Sequence, residues 1–205
     1  LHLDGSTPAG AFGCNKRYGN DKKFTWTAKG SAKPLTSAER HAWGQEMARR
    51  RAERDEGERM RHEAAAALAE SIWTAAKPAV NHSYLAAKGI TANGARVGDW
   101  PVVSADTGEI IRTIKGTLIL NVRDFDKRIH SVQAIFERSA EDGRLEFVKP
   151  FVAGGAKRGH FYAIGQPRKG ADGRLVFVVA EGFATAASVY QATGHAAVVA
   201  FDAGN

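Results

Sequence analysis

Two carboxylates stand in the stretch VVAEGFATAASVYQATGHAAVVAFDAGN, residues 178–205. Glu181 closes one apolar run and Asp202 closes another, with a small-residue helix pattern between them. If the runs are strands, each acid sits at a strand's carboxyl end, where open α/β sheets carry their active sites. A carboxylate there can bind a divalent metal or act as a general acid or base. Glu181 also precedes a helix, whose macrodipole favours negative charge, so capping the helix is its competing role. Position alone leaves the two roles open.

A second kind of chemistry is suggested by charge. The net charge is +7 and unevenly spread: residues 1–35 carry +4, residues 36–76 carry −1 and residues 77–205 carry +4. Residues 144–174 hold 7 basic and 2 acidic side chains. A surplus gathered on one patch is an electrostatic footprint for phosphates, and solubility is the plainer alternative. Within that segment AGGAKRG joins cations to glycines, as a flexible phosphate-holding loop would. It is not a P-loop, because G-x-x-x-x-G-K-[ST] is absent, and an ordinary surface turn is the other reading.

The totals exclude several classes. One cysteine, Cys14, rules out an internal disulfide framework and a Cys-rich zinc site, and it suits a reducing compartment. His2, His41, His62, His82, His130, His160 and His195 show no ligand spacing, so no zinc module is expected. No apolar stretch approaches the roughly 18 residues of a membrane helix. No signal-peptide pattern is present either, so a cytoplasmic protein without a membrane partner is expected. Leu1 falls inside a strand-like run, and the chain reads as a fragment of a larger protein.

These groups need elements to position them. AGAFGCNK and KFTWTAK flank the turn signal RYGND and predict a hairpin. Phe24 and Trp26 alternate with threonine, so both rings face one side. With Lys16, Arg17, Lys22 and Lys23 nearby they could stack bases, but the core of a small sheet is the favoured reading. Residues 35–76 read as a long helix opened by Thr36 or Ser37. RRRAERDEGERMRHE has no apolar stripe, so that part is an exposed, self-compensating helix rather than a nucleic-acid surface. Leu68, Ile72 and Trp73 then offer packing, and Pro78 ends the helix. NHSYLAAKGI predicts a short helix stopped by Gly89. The runs VGDWPVV, GTLILNVRD, RIHSVQAIFE, RLEFVKPFV and GHFYAIG predict one antiparallel sheet, with a hairpin over 117–137. Val132, Ala134 and Phe136 alternate as a half-buried strand does. LVFVVA is a continuous apolar run, which predicts a strand covered on both faces. FATAASVYQATG is a helix ended by Gly194 and AAVVAF a second covered strand, giving β-α-β in a parallel sheet. Gly182 allows a close turn, and Ala184, Ala186 and Ala187 let the helix lie near the sheet.

The motifs VVAEGFATAASVYQATG and VVAFDAGN resemble the opening of a Toprim domain, the metal-binding module of bacterial primases, topoisomerases and some nucleases. They are most similar to the primases of conjugative plasmids and phages. GTLILNVRDFDKRIHSVQAIF, FVKPFVAGGAKRGHFYAIG and SYLAAKGI resemble the basic, strand-rich subdomain that precedes Toprim there. The resemblance covers roughly 80–205. It implies a basic primase-type subdomain (78–170) and the first β-α-β of a Rossmann-like Toprim domain (171–205), which with the N-terminal β element (1–34) and the long charged connecting helix (35–77) read from the residues gives an α+β fold. It implies a DNA primase using Mg²⁺ or Mn²⁺, with single-stranded DNA as template, ribonucleoside triphosphates as substrates, and a helicase or relaxase as further partner. Glu181 matches the Toprim glutamate, which binds metal or moves protons. Lys149, Lys157 and Arg158 match the basic positions that hold template or triphosphate. Two departures weigh against this. Thr185 stands where replicative primases often place an acid, and Asp202 is followed at 204 by glycine rather than by the second acid of a D-x-D. The D-x-D is expected after Asn205, so this chain by itself is expected not to polymerise. Another Toprim activity would need more: a topoisomerase requires a nucleophilic tyrosine, and Tyr18, Tyr84, Tyr162 and Tyr190 lack that context. A non-catalytic DNA-binding or accessory module with a degenerate Toprim is the rival reading.

Overall fold

A computed structural model describes residues 9–13, 23–27, 36–104, 107–170 and 172–205. Two compact units divide the chain, Leu1–Glu53 and Arg54–Asn205. In the first, β1 (Ala9–Phe12) and β2 (Phe24–Thr27) pair antiparallel, with Phe12 opposite Phe24. The two phenylalanine rings stack with centroids 5.4 Å apart. Phe24 and Trp26 are 41% and 51% exposed, so the rings do not form the buried sheet core expected of them. Lys16, Arg17 and Lys22 lie outside the described residues.

Helix α1 (Ser37–Ala75) begins in this unit. A reciprocal capping box starts it: the Glu39 N–H donates to Thr36 Oγ1 at 3.2 Å, and the Thr36 N–H donates to Glu39 Oε2 at 2.7 Å. Charge pairs along the helix replace burial. Arg50 meets Glu46 at 2.6 Å, and Arg49 pairs with both Glu46 and Glu53. Such i,i+3 and i,i+4 pairs add roughly 0.2–0.5 kcal/mol each.

The second unit holds the rest of α1, where Arg59 bridges Glu56 and Glu63. The helix then turns apolar. Ala65, Ala69 and Ile72 are buried, with Leu68 and Trp73 at the margin. This face covers a five-stranded antiparallel sheet of β3 (Lys77–Pro78), β4 (Arg96–Val103), β5 (Ile110–Arg123), β6 (Ile129–Ser139) and β7 (Leu145–Val148), in that order. The expected hairpin is there: β5 and β6 pair from Leu118↔Ile135 to Arg123↔Ile129. The expected half-burial of β6 is not, because Ser131 through Ile135 are all buried. Ile119, Val132 and Ala134 join Ile72 on one face, while Leu118, Leu120 and Ile135 serve a second core on the other. A strand covered on both faces loses its alternation.

That second core also takes Tyr84 and Leu85 of α2 (Ser83–Lys88) and Phe183, Ala186 and Ala187 of α3 (Phe183–Thr193). The remaining wall is a three-stranded sheet in the order β11 (Val178–Ala180), β12 (Ala197–Val199), β8 (Tyr162–Ile164). β11 and β12 are parallel and joined through α3, while β8 is antiparallel to β12. So β8 departs from the antiparallel sheet expected for it, and only a bridge between Arg123 and Phe161 ties its start to β5. LVFVVA departs too. It splits into β10 (Leu175–Val176), paired with β9 (Arg168–Lys169), and β11. Leu175 of β10 and Val179 of β11 are 61% and 62% exposed: Val178 and Ala180 pack on the core, while Val179 points to the opposite face, so β11 is covered on one face only. Among the described residues no helix is long and apolar enough to cross a membrane.

Candidate functional site

Glu181 follows the last residue of β11 and precedes the N-cap of α3, as its position in the sequence predicts. The cap is Gly182, extended at φ −116°, and no side chain bonds the first turn. Glu181 therefore does not cap the helix by a hydrogen bond. Gly182 is not required by conformation either, since its φ suits any residue and an added Cβ would meet nothing within 4 Å. Ala186 and Ala187 are fully buried, which brings α3 onto the core. Glu181 is exposed, and Thr185, one turn further on, is exposed beside it.

Glu181 and Thr185 line a cleft of about 290 Å³, shared with Lys149, Gln133, Tyr84 and Phe201. Lys149 comes from the segment after β7, and its Nζ lies 5.1 Å from the centre of the Tyr84 ring. Such cation–π contacts hold a lysine head while leaving its charge open to other groups. Tyr84 is fixed edge-on by Phe147 at 5.0 Å, and its hydroxyl is enclosed without a hydrogen-bond partner.

The glycine-rich segment is anchored rather than loose. Gly155 packs so closely on β6 that a Cβ there would lie 2.3 Å from Ser131 Oγ. Lys157 lies 4.9 Å from the Phe151 ring centre and 3.5 Å from Asp202 Oδ2. Phe151 packs edge-on against Phe201 at 5.4 Å. Asn205 closes the contact: its Nδ2 donates to His160 O and to Ala200 O, each at 2.7 Å, and its Oδ1 accepts from the Gly159 N–H. Phe201 takes the left-handed conformation, φ 69°, which costs a non-glycine residue roughly 1–2 kcal/mol. Lys157 and Asp202 are both about half exposed, so their pair is worth at most about 1 kcal/mol and can exchange for a phosphate. The structure thus brings Glu181 and Lys149 into one cleft and links Lys157 to it through Phe151 and Phe201. Arg158 is exposed and does not line the cleft.

This chain is similar to a DNA primase. It is 33% identical over 211 residues to DNA primase TraC of Escherichia coli, a match covering 100% of this chain and 17% of that protein. A second DNA primase TraC of Escherichia coli is 33% identical over 208 residues, covering 100% of this chain and 12% of that protein. The relationship is distant, and the chain spans a small part of the curated relatives it matches. No family model matches the chain, and no solved structure matches it.

Sequence spacing missed one cluster. Asp124, His130 and His160 place their ligand atoms within 4.8 Å of one another, although their numbers suggest no ligand set. Asp124 and His130 flank the β5–β6 turn, a juxtaposition that the hairpin signal RDFDKR could have revealed. His160 joins them only through tertiary packing. Burial holds its pKa below the ordinary histidine value, with His130 adding to the effect and Asp124 opposing it. Tyr84, Gln133 and Phe201 were likewise invisible as cleft residues, because they come from three separate elements.

Proposed function

We propose that this chain is part of a DNA primase that joins ribonucleotides on a single-stranded DNA template, with a helicase or relaxase as a further partner of the whole protein. The observation that carries this is the shared cleft of Glu181 and Lys149, in a chain similar along its whole length to DNA primase TraC. In this reading the segment is basic primase subdomain followed by the beginning of a Toprim domain. The parallel β11–α3–β12 unit with an acid at its first strand tip supports it. Lys149 offsets phosphate charge at the cleft, and Lys157 and Arg158 hold template or triphosphate from the neighbouring loop. Glu181 accepts a hydrogen bond or proton from the attacking hydroxyl.

Mg²⁺ or Mn²⁺ chemistry needs hard oxygen ligands, and two-metal transfer needs several carboxylates. Among the described residues lining the cleft, Glu181 is the single carboxylate, with Thr185 and Gln133 as neutral oxygen donors. That set fits one ligand position and falls short of a two-metal centre. The same observation favours the second reading, a single-stranded-DNA-binding accessory module without catalysis.

The deciding experiment is primer synthesis on single-stranded DNA with ribonucleotides and Mg²⁺ or Mn²⁺. It compares the protein that carries this chain with its Glu181→Gln variant. Short RNA from the first and a loss of at least about 100-fold in the second supports the primase reading, a scale set by the loss of a general acid or base. Silence from both, with both still retarding DNA in a gel, supports the accessory module.

A further inference from the structure

We propose that Asp124, His130 and His160 bind one borderline divalent metal ion of the zinc class, at a site separate from the Glu181 cleft. Three observations meet there. The ligand atoms already converge within 4.8 Å. With bonds of about 2.0–2.1 Å a tetrahedral centre sets its ligands roughly 3.4 Å apart, so binding requires the Asp124–His130 hydrogen bond to open and the two stacked rings to turn until their in-plane nitrogens point at one ion. The donors are two imidazoles and a carboxylate, a set suited to Zn²⁺ and its neighbours over Mg²⁺. Finally, His160 Nδ1 is enclosed and makes no hydrogen bond of good geometry, with the Ala156 backbone near the ring, so one ring nitrogen is spare for a cation.

The backbone holds the three residues independently of any ion. Asp124 spends Oδ1 on the Arg128 N–H at 2.9 Å, which fixes the turn and leaves Oδ2 facing His130 Nε2 at 2.8 Å. His160 precedes Phe161, whose backbone exchanges two hydrogen bonds with Arg123, at 2.9 and 3.0 Å. The rings of His130 and His160 stack at 3.8 Å. Beside His130 opens a cleft of about 390 Å³ that Glu58, His62 and Glu63 also line, which gives the ion an approach and leaves water a fourth position. A bound ion ties the β5–β6 turn to the segment that carries Lys157 and Arg158. The inference does not depend on the primase reading.

The test uses the untagged, metal-stripped chain and Zn²⁺ alone. Calorimetric titration should give one ion per chain and a raised melting temperature, and Co²⁺ should give the visible absorption of a low-coordinate site. His160→Ala should weaken Zn²⁺ binding at least 10-fold and abolish the thermal gain. Asp124→Asn, which keeps the Oδ1 acceptor of the turn, should do the same and covers the case in which His160→Ala fails to fold. Absence of saturable binding, or binding by folded Asp124→Asn as tight as that of the original chain, overturns the site.

Discussion

At Gly155 a single methyl group would have nowhere to go. Its Cβ would fall 2.8 Å from Ser131 Cβ and 3.0 Å from Val152 O, so both the strand below and the loop itself resist. Gly155→Ala should cost about 1–3 kcal/mol, the usual range for overpacking, and lower the denaturant midpoint. Gly182→Ala is the contrast, with open space and an ordinary φ, and should change stability by less than about 0.5 kcal/mol. Equal losses in the two variants would show that the loop is not anchored at Ser131. A second residue gives the fold a pH dependence. His82 caps α2 in its neutral form: Nδ1 accepts the Tyr84 N–H and Nε2–H donates to Gly116 O, each at 3.1 Å. Desolvation is the main cause that holds its pKa below 6.5, against the pull of Gly116 and Glu137. Below 6.5 the unfolded chain then binds more protons than the folded one, so this contribution is whole above 6.5 and declines as pH falls toward the folded value. His82→Asn keeps a capping acceptor and removes the titration. The stability difference between the original chain and this variant, measured from pH 7.5 to pH 5, should shift against the original as pH falls. A flat difference would remove His82 from the account.

Element by element, local signals were legible where one local force decides. Gly89 and Gly194 stop α2 and α3 in left-handed conformations, as their positions predict. The β5–β6 hairpin follows from its turn composition. Burial was less legible, because it depends on what a distant element covers. In β6, alternation misled: Ser131 and Gln133 look solvent-facing yet are buried, Ser131 against Gly155 and Gln133 in a bridge to Phe151. In LVFVVA the apolar run misled in the opposite sense, since only Val178 and Ala180 of β11 pack on the core and Leu175 and Val176 belong to a separate two-stranded ribbon. The candidate site divides in the same way. Glu181 can be read from a strand tip, whereas its meeting with Lys149 and the convergence of His130 with His160 need the tertiary fold. Two matched valines test the burial assignment. Val199 is fully buried in β12 and Val179 is 62% exposed in β11. Val199→Ala should cost about 1–3 kcal/mol through lost burial and a cavity, and Val179→Ala less than about 0.5 kcal/mol. Similar costs would mean that β11 is covered after all.

Across the whole molecule the decisive quantity is not the net charge of +7 but which cations are already engaged. Arg49, Arg50 and Arg59 each hold a glutamate of α1, and Glu46 between two of them is lowered to about 2 by their hydrogen bonds and charges. These arginines would have to give up their partners to meet a phosphate. Among the described residues Lys149 rests on an aromatic ring without a paired carboxylate, Lys157 holds one half-exposed carboxylate, and Arg158 stands exposed. On the proposed reading, then, single-stranded DNA is held through the latter three. Each phosphate contact contributes about 0.7 to the slope of log affinity against log salt for a single strand. Replacing Lys149, Lys157 and Arg158 together by glutamine should flatten that slope by about 2. Replacing Arg49, Arg50 and Arg59 removes the same formal charge and should leave it nearly unchanged. Fluorescence anisotropy with a labelled oligonucleotide across a salt series reads both slopes. If the two triple variants lose slope equally, binding follows total charge and the Lys149–Arg158 segment is no footprint. If only the first does, the phosphate-holding surface lies beside the Glu181 cleft, where template or triphosphate would have to pass.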